Sequence, residues 1–173
     1  MKIREAKLTD AIGIAKVHVD SWRTTYKNII SNEFLEKLSY EQRTNSWIQN
    51  LSNPNNYVFV AENHEDEIVG FADCGKRVRN QIDHSGDITS IYILEEYQGQ
   101  GIGKQLLRQL FIQCNKLGYK SVFVEVLEDN KTRYFYEYYG AILRKTEKIN
   151  IGGTDLNLLV YEWECISKAL NVL

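Results

Sequence analysis

The sequence predicts a single mixed α/β domain organised around one βαβ unit, and three observations carry that prediction. Short β-branched and aromatic runs such as "YVFVAEN", "DITSIYIL" and "KSVFVEVL" read as strands. Between the last two, Ile102, Leu106, Leu110, Cys114 and Leu117 recur on one helical face. A glycine-rich stretch, Gln98-Gly99-Gln100-Gly101-Ile102-Gly103, joins the strand to that helix. A chain of 173 residues is sized for one hydrophobic core.

In chain order, "KIREA" alternates like a short strand, and Thr9 or Asp10 caps a helix running to about Asn28. Ile12, Ala15, Val19, Trp22 and Tyr26 form its expected apolar stripe. Two shorter helices follow near Glu33–Leu38 and Tyr40–Asn50, and the breaker Asn53-Pro54-Asn55-Asn56 ends that half. "YVFVAEN" and "EIVGFADCG" then read as a hairpin around His64-Glu65-Asp66, and residues 76–86 as a polar loop. Gly118 stops the central helix, and a short aromatic helix spans Asn130 to Tyr139 before Gly140. The end of the chain reads as two strands joined at Gly152-Gly153. No repeat, low-complexity segment or linker interrupts this order.

Composition excludes several function classes. Apolar residues make up 43% and charged residues 25%, as in ordinary globular proteins. A net charge of -2 offers no global attraction to nucleic acid or to an anionic membrane. The basic stretch Lys76, Arg77, Arg79 is expected as a solvated loop. No apolar run approaches the roughly 20 residues of a membrane span. "MKIREAKLTD" lacks the apolar centre of a signal peptide, so a cytoplasmic protein is expected. Cys74, Cys114 and Cys165 are scattered without metal-ligand spacing, so neither a metal site nor a disulfide is expected.

The glycine stretch is where chemistry is expected. A Walker loop fails, because Gln98 stands where its first glycine belongs and Gln105 follows Lys104. A dinucleotide fingerprint fails too, because position 104 is lysine. The physics those motifs share survives: small residues entering a helix expose unpaired N–H groups at its positive end, a natural seat for phosphate oxygens.

Gln98-Gly99-Gln100-Gly101-Ile102-Gly103 also fits the Gln/Arg-x-x-Gly-x-Gly/Ala pattern of the GNAT superfamily of acyl-CoA-dependent N-acetyltransferases. About 30 residues on, "VLEDNKTRYFYEYYGA" resembles the downstream segment of the same family, an asparagine followed by a short helix carrying Phe-Tyr and closed by glycine. "HVDSWRTTY" and Trp47 resemble, more loosely, one branch of it. The resemblance implies a mixed, mostly antiparallel sheet of about seven strands, flanked by helices and splayed at the cofactor site. It also implies acetyl-CoA as cosubstrate.

The resemblance further implies roles for particular residues. Gln98, Gly99, Gln100, Gly101, Ile102, Gly103 and Lys104 would wrap the CoA pyrophosphate through main-chain N–H groups. Ile91 and Ile93 would offer strand backbone to the pantetheine arm, a form of strand addition. Asn130 would either cap its helix or hold the cofactor. Tyr136 matches the tyrosine beside the cofactor sulfur, where a phenol of pKa about 10 can protonate a leaving thiolate. Tyr138 and Tyr139 are expected to be structural. Asp87 stands where relatives carry a strand glutamate, and Glu125 is the lone charge in "VFVEVL"; both are candidates for the general base. Trp22 and Tyr26, one turn apart, either line the acceptor pocket or pack in the core. His18 shares their stripe and is expected to be a satisfied core or surface residue.

The expected reaction is direct acetyl transfer to a primary amine in a ternary complex, since neither motif contains cysteine. Asp87, Glu95, Glu96, Glu125 and Glu128 favour a cationic small-molecule acceptor such as a polyamine or amino sugar. A protein or peptide N-acetyltransferase and a non-catalytic acyl-CoA sensor are the alternatives. A homodimer through the C-terminal strands is open.

Overall fold

The computed structural model describes residues Met1 to Leu173. Seven strands form one sheet in the order β1-β2-β3-β4-β5-β7-β6. They are β1 (Lys2–Glu5), β2 (Tyr57–Glu62), β3 (Ile68–Gly75), β4 (Ser85–Ile93), β5 (Ser121–Leu127), β6 (Ile142–Ile151) and β7 (Thr154–Trp163). All neighbours run antiparallel except β4 and β5, the pair that needs a helical crossover. That crossover is α4 (Ile102–Lys116).

One face of the sheet carries α1 (Ala11–Thr25) and α3 (Tyr40–Leu51), where Ile14, Ala15, Val17 and Trp47 meet Val58, Val60 and Phe71. The other face carries α4 with α5 (Thr132–Tyr138) and α6 (Ile166–Leu170). There Leu106, Leu107, Leu110, Phe111 and Cys114 of α4 are sealed against Ala72, Cys74, Ile88, Val122 and Val124. A third cluster joins Tyr26, Leu127 and Leu156 to Leu35 of α2 (Asn32–Glu36).

Two departures from the periodicity have plain causes. Ile12 is 71% exposed although it falls on the expected stripe, because the helix rotates Ala11, Ile14 and His18 inward instead. Its start is also delayed by a tight turn at Leu8–Asp10, where the Asp10 carboxylate accepts from Lys7 N–H at 2.6 Å and pairs with Arg4 at 2.7 Å. The C-terminal α6 was not anticipated; five residues are too few to show a helical period.

The feature that makes a site is a fork. Pairing of β4 with β5 runs only from Ser85↔Ser121 to Ile88↔Val124. Beyond that point β4 stays with β3, ending at Ile93↔Gly70, while β5 stays with β7 as far as Leu127↔Leu158. A bulge sits where the strands part: Asp73 opposes Ser90 and Cys74 opposes Ile88, so Thr89 has no partner on β3. Such an extra residue bends a strand and raises its local twist, which turns β4 away from β5.

Candidate active site

Between the diverging strands lies a cleft of about 340 Å³, lined by Ile91, Tyr92 and Ile93 of β4, by Gln98, Gly99, Gly101, Gly103 and Lys104, and by Thr132, Phe135 and Tyr139 around α5. Thr25, the last residue of α1, completes the wall. The strand, glycine loop and aromatic helix singled out in the sequence therefore share one concavity.

The loop fits an anion. Gly99 and Gly101 hold φ of 72° and 78°, a left-handed conformation that other residues adopt only at a cost. Neither would place a Cβ within 4 Å of another atom, so backbone conformation, not crowding, demands glycine there. Main-chain N–H groups from Gly99 through Lys104 find no acceptor in the protein; the first helical bond runs from Gln105 N–H to Gly101 C=O at 3.2 Å. A row of unpaired donors at the start of a fifteen-residue helix suits a diphosphate. The side chains of Gln98 and Gln100 brace the loop by donating to Ile93 C=O at 3.0 Å and Glu96 C=O at 3.1 Å. Ile102 does not face the cleft; it is 2% exposed and anchors the helix in the core.

Behind the cleft lies a tyrosine cluster. Tyr26 and Tyr92 share a hydrogen bond of 3.0 Å between hydroxyls, and Asn130 Nδ2 donates to Tyr26 at 3.5 Å. Asn130 Oδ1 also accepts from Thr132 N–H at 2.9 Å, which starts α5, so one buried side chain ties that helix to α1. Tyr136 is 4% exposed, its ring on Trp163 and Phe135, and it lies behind the residues that line the cleft. Burial raises the pKa of Tyr26, Tyr92 and Tyr136, so each stays a neutral O–H donor well above neutral pH.

Trp22 stacks edge-on against Tyr26 at 4.8 Å, and its indole N–H is sealed without an acceptor. His18 is a core residue: it accepts from Trp47 Nε1 at 3.1 Å, and burial, then the charge of Arg43, lowers its pKa to about 3. It is neutral at physiological pH.

The two base candidates lie outside this cleft, in a separate hollow between β5 and the loop 76–84. Asp87 accepts from Arg77 N–H and from Asn80 Nδ2, both at 2.9 Å, and so fastens that loop. Glu125 pairs with Arg77 at 2.6 Å and with Arg79. The loop expected to be merely solvated is thus tied to the sheet by these carboxylates. The bulge at Thr89 also breaks the alternation that places Asp87 on the face of Ile91. The expected acidic cluster is dispersed in turn: Glu128 accepts from Asn157 at 2.6 Å, and Arg144 and Lys145 line the hollow beside Asp87 and Glu125.

Sequence reasoning missed Tyr92, Thr25, Thr132 and Phe135 as lining residues, and Tyr139, expected to be structural, lines the cleft while Tyr138 is 81% exposed. Thr132, Phe135 and Tyr139 recur at i, i+3 and i+7, a helical stripe that carries the information.

Comparison with known proteins matches residues 16–141 to the acetyltransferase (GNAT) family. The chain belongs to that family. It is similar to the uncharacterized N-acetyltransferase YuaI of Bacillus subtilis, 37% identical over 99% of this chain and 97% of that one. It also resembles the spermidine N(1)-acetyltransferase of Thermoplasma acidophilum, 25% identical over 80% and 85% of the two chains. The fold matches the crystal structure of a ribosomal-protein-alanine N-acetyltransferase from Brucella melitensis with a TM-score of 0.75, 23% identity and 94% and 99% coverage. The GNAT chain is therefore an N-acetyltransferase that uses acetyl-CoA. No helix in it is long and apolar enough to cross a membrane.

Proposed function

We propose that this GNAT enzyme acetylates a primary amine carried by a small molecule such as a polyamine or amino sugar, by direct attack within a ternary complex. The observation that carries the cofactor half of this reading is the row of unpaired N–H groups from Gly99 to Lys104 at the mouth of the fork. Gly99, Gln100, Gly101, Ile102, Gly103 and Lys104 hold the CoA diphosphate by main chain, and Lys104 adds a nearby positive charge. Gln98, expected to share this role, spends its N–H on Glu95 C=O at 3.1 Å and supports the loop through its side chain instead. Ile91 and Ile93 present to the pantetheine arm the strand edge that β5 has left. Asn130 keeps Tyr26 and α5 in place around it. Bound there, acetyl-CoA supplies the acetyl group as a thioester.

Tyr136 is the proton donor to the leaving sulfur, a role its neutral hydroxyl suits. Trp22 and Tyr26, packed edge-on against each other behind the cleft, flank the acceptor with apolar ring surface. No cysteine lines the cleft, which favours direct transfer over an acyl-enzyme. Asp87 and Glu125 receive no base role here, because both are engaged in fastening the loop 76–84.

A small acceptor is favoured by the closed end of the fork. Phe34 of α2 packs on the β6–β7 turn so closely that a Cβ on Gly152 would lie 2.7 Å from its ring. With Ile149, Ile151 and Leu35 this contact forms a roof beside Tyr26, where a peptide acceptor needs an open groove. The test is thiol release from acetyl-CoA with spermidine, an amino sugar and a peptide beginning with alanine. Turnover on the first two, at least tenfold above the peptide, is expected. Preference for the peptide contradicts the small-acceptor reading, and binding of CoA without turnover on any amine favours a sensor.

A further inference from the structure

An alkylamine reaches the enzyme protonated, since its pKa is near that of lysine, about 10.4, and it must lose a proton before its nitrogen can attack. The two acids that sequence reasoning offered for this are tied up elsewhere. A third carboxylate stands where β4 and β5 part.

Asp73 sits on β3 opposite the bulge that opens the fork, and it is only 3% exposed. A buried carboxylate is costly unless it is bonded or used. Thr89 Oγ1 donates to its Oδ2 at 2.6 Å, and Ser90 Oγ donates to its Oδ1. Thr89 is the unmatched bulge residue and, unlike Asp73, it is exposed. It stands one residue past the last β4–β5 pair and two before Ile91, roughly 7 Å along the strand at about 3.3 Å per residue. Its hydroxyl gives its proton to Asp73 and keeps lone pairs free to accept one from outside.

We propose that Thr89 and Asp73 form the proton exit of the acetyl transfer, with Thr89 receiving the ammonium proton and Asp73 storing it. In that step an N–H bond of the bound ammonium breaks and its proton passes to Thr89 Oγ1. At the same time the Thr89 O–H proton passes to Asp73 Oδ2, leaving Thr89 unchanged, the amine neutral and Asp73 a carboxylic acid. The neutral nitrogen then bonds to the acetyl carbon as the carbon–sulfur bond breaks. The departing sulfur takes the Tyr136 hydroxyl proton, and the surplus proton on nitrogen passes to the Tyr136 oxygen, leaving an amide, a thiol and a neutral tyrosine. Asp73 returns its proton to solvent through Thr89 once the product has left.

The surroundings of Asp73 suit a proton store. Burial, the largest influence, raises its pKa, while hydrogen bonds from Ser90, Thr89 and Asn56 and the charge of Arg77 pull it down. Arg77 belongs to the β3–β4 loop, and the Cys74 thiol on β3 is the other titratable group that senses Asp73. From the helical layer, His18 lies against Phe71 and Tyr92 instead, and Arg43 of α3 acts on His18. Asp73 acts through Thr89 and is a positioning residue; Thr89 is the group that meets the substrate.

The inference rests on the acetyltransfer reading, and the experiment separates the two. Turnover is measured from pH 6 to pH 10 with acetyl-CoA and spermidine, and with the alanine peptide, for wild type, Asp73→Asn, Thr89→Val and Thr89→Ser. Wild type is expected to hold a flat kcat/KM between an acidic limb and the pKa of the amine. Asp73→Asn and Thr89→Val should each lose about 100-fold at pH 7, within the range of general-base effects. Both should then climb with pH as free amine becomes available, converging on the wild-type plateau without exceeding it, and Thr89→Ser should restore the plateau. Unchanged CoA affinity and melting temperature separate this from collapse of the bulge. Variants that keep the wild-type plateau overturn the relay and leave the acetyltransferase standing. A wild type that releases no thiol with either amine overturns both.

Discussion

Tyr136 shows how much a single side chain's setting decides. Among the five aromatics of its segment, it alone is sealed in the core, while Phe135 and Tyr139 line the cleft and Tyr138 and Tyr134 face solvent. Burial raises its pKa, so the phenol is neutral and able to donate a hydrogen bond to a leaving thiolate. Replacing Tyr136 with Phe removes one oxygen and keeps the packing on Trp163. Steady-state kinetics should show kcat at least tenfold lower with CoA affinity within about twofold of wild type, as for loss of a general acid. Equal kcat in the two proteins would remove Tyr136 from the chemistry. The role of this residue was suggested by motif, whereas its burial follows from α5 packing on β7, which no local pattern reveals.

At the scale of elements, the strand–loop–helix unit was legible because its chemistry is local. Alternation gave β4, the 3.6-residue period gave α4, and closely spaced glycines between them gave the turn proposed to hold the anion. The bulge was not legible, because it is defined by cross-strand register: Thr89 is extra only relative to β3. That one residue explains why Asp87, four positions before Ile91, does not share its face, and Asp73, on a strand read only as half of a hairpin, is tied to the site by the same register shift. The loop itself makes a sharp prediction. Gly101 at φ 78° has open space around it, so Gly101→Val fails through backbone strain rather than collision. The strain is about 1–2 kcal/mol or more for a β-branched residue. Thermal melts should show a drop of several degrees, and calorimetry at a temperature where the variant is folded should show CoA affinity lower by at least tenfold. A variant with wild-type CoA affinity would remove the loop conformation from cofactor binding.

For the whole molecule, one sheet serves two purposes by being paired at one end and parted at the other. Helices α1 and α3 close one face and α4, α5 and α6 the other, leaving the fork between β4 and β5 as the place inside the sheet, away from its outer edges β1 and β6, where neighbouring strands part. The order of elements along the chain announced a single mixed α/β domain, and the resemblance implied the sheet of about seven strands splayed at the cofactor site. What the order could not announce is which distant side chains meet, such as Asn130 with Tyr26 or Phe34 with Gly152, because those contacts span more than 100 residues. The central claim is that free amides at the start of α4 hold the diphosphate of CoA. Amide-resolved NMR titration of the labelled protein with CoA, and separately with pantetheine, tests it most directly. The account predicts that the N–H resonances of Gly99 to Lys104 shift strongly with CoA and little with pantetheine, which lacks the diphosphate. CoA binding that leaves those resonances in place would contradict it.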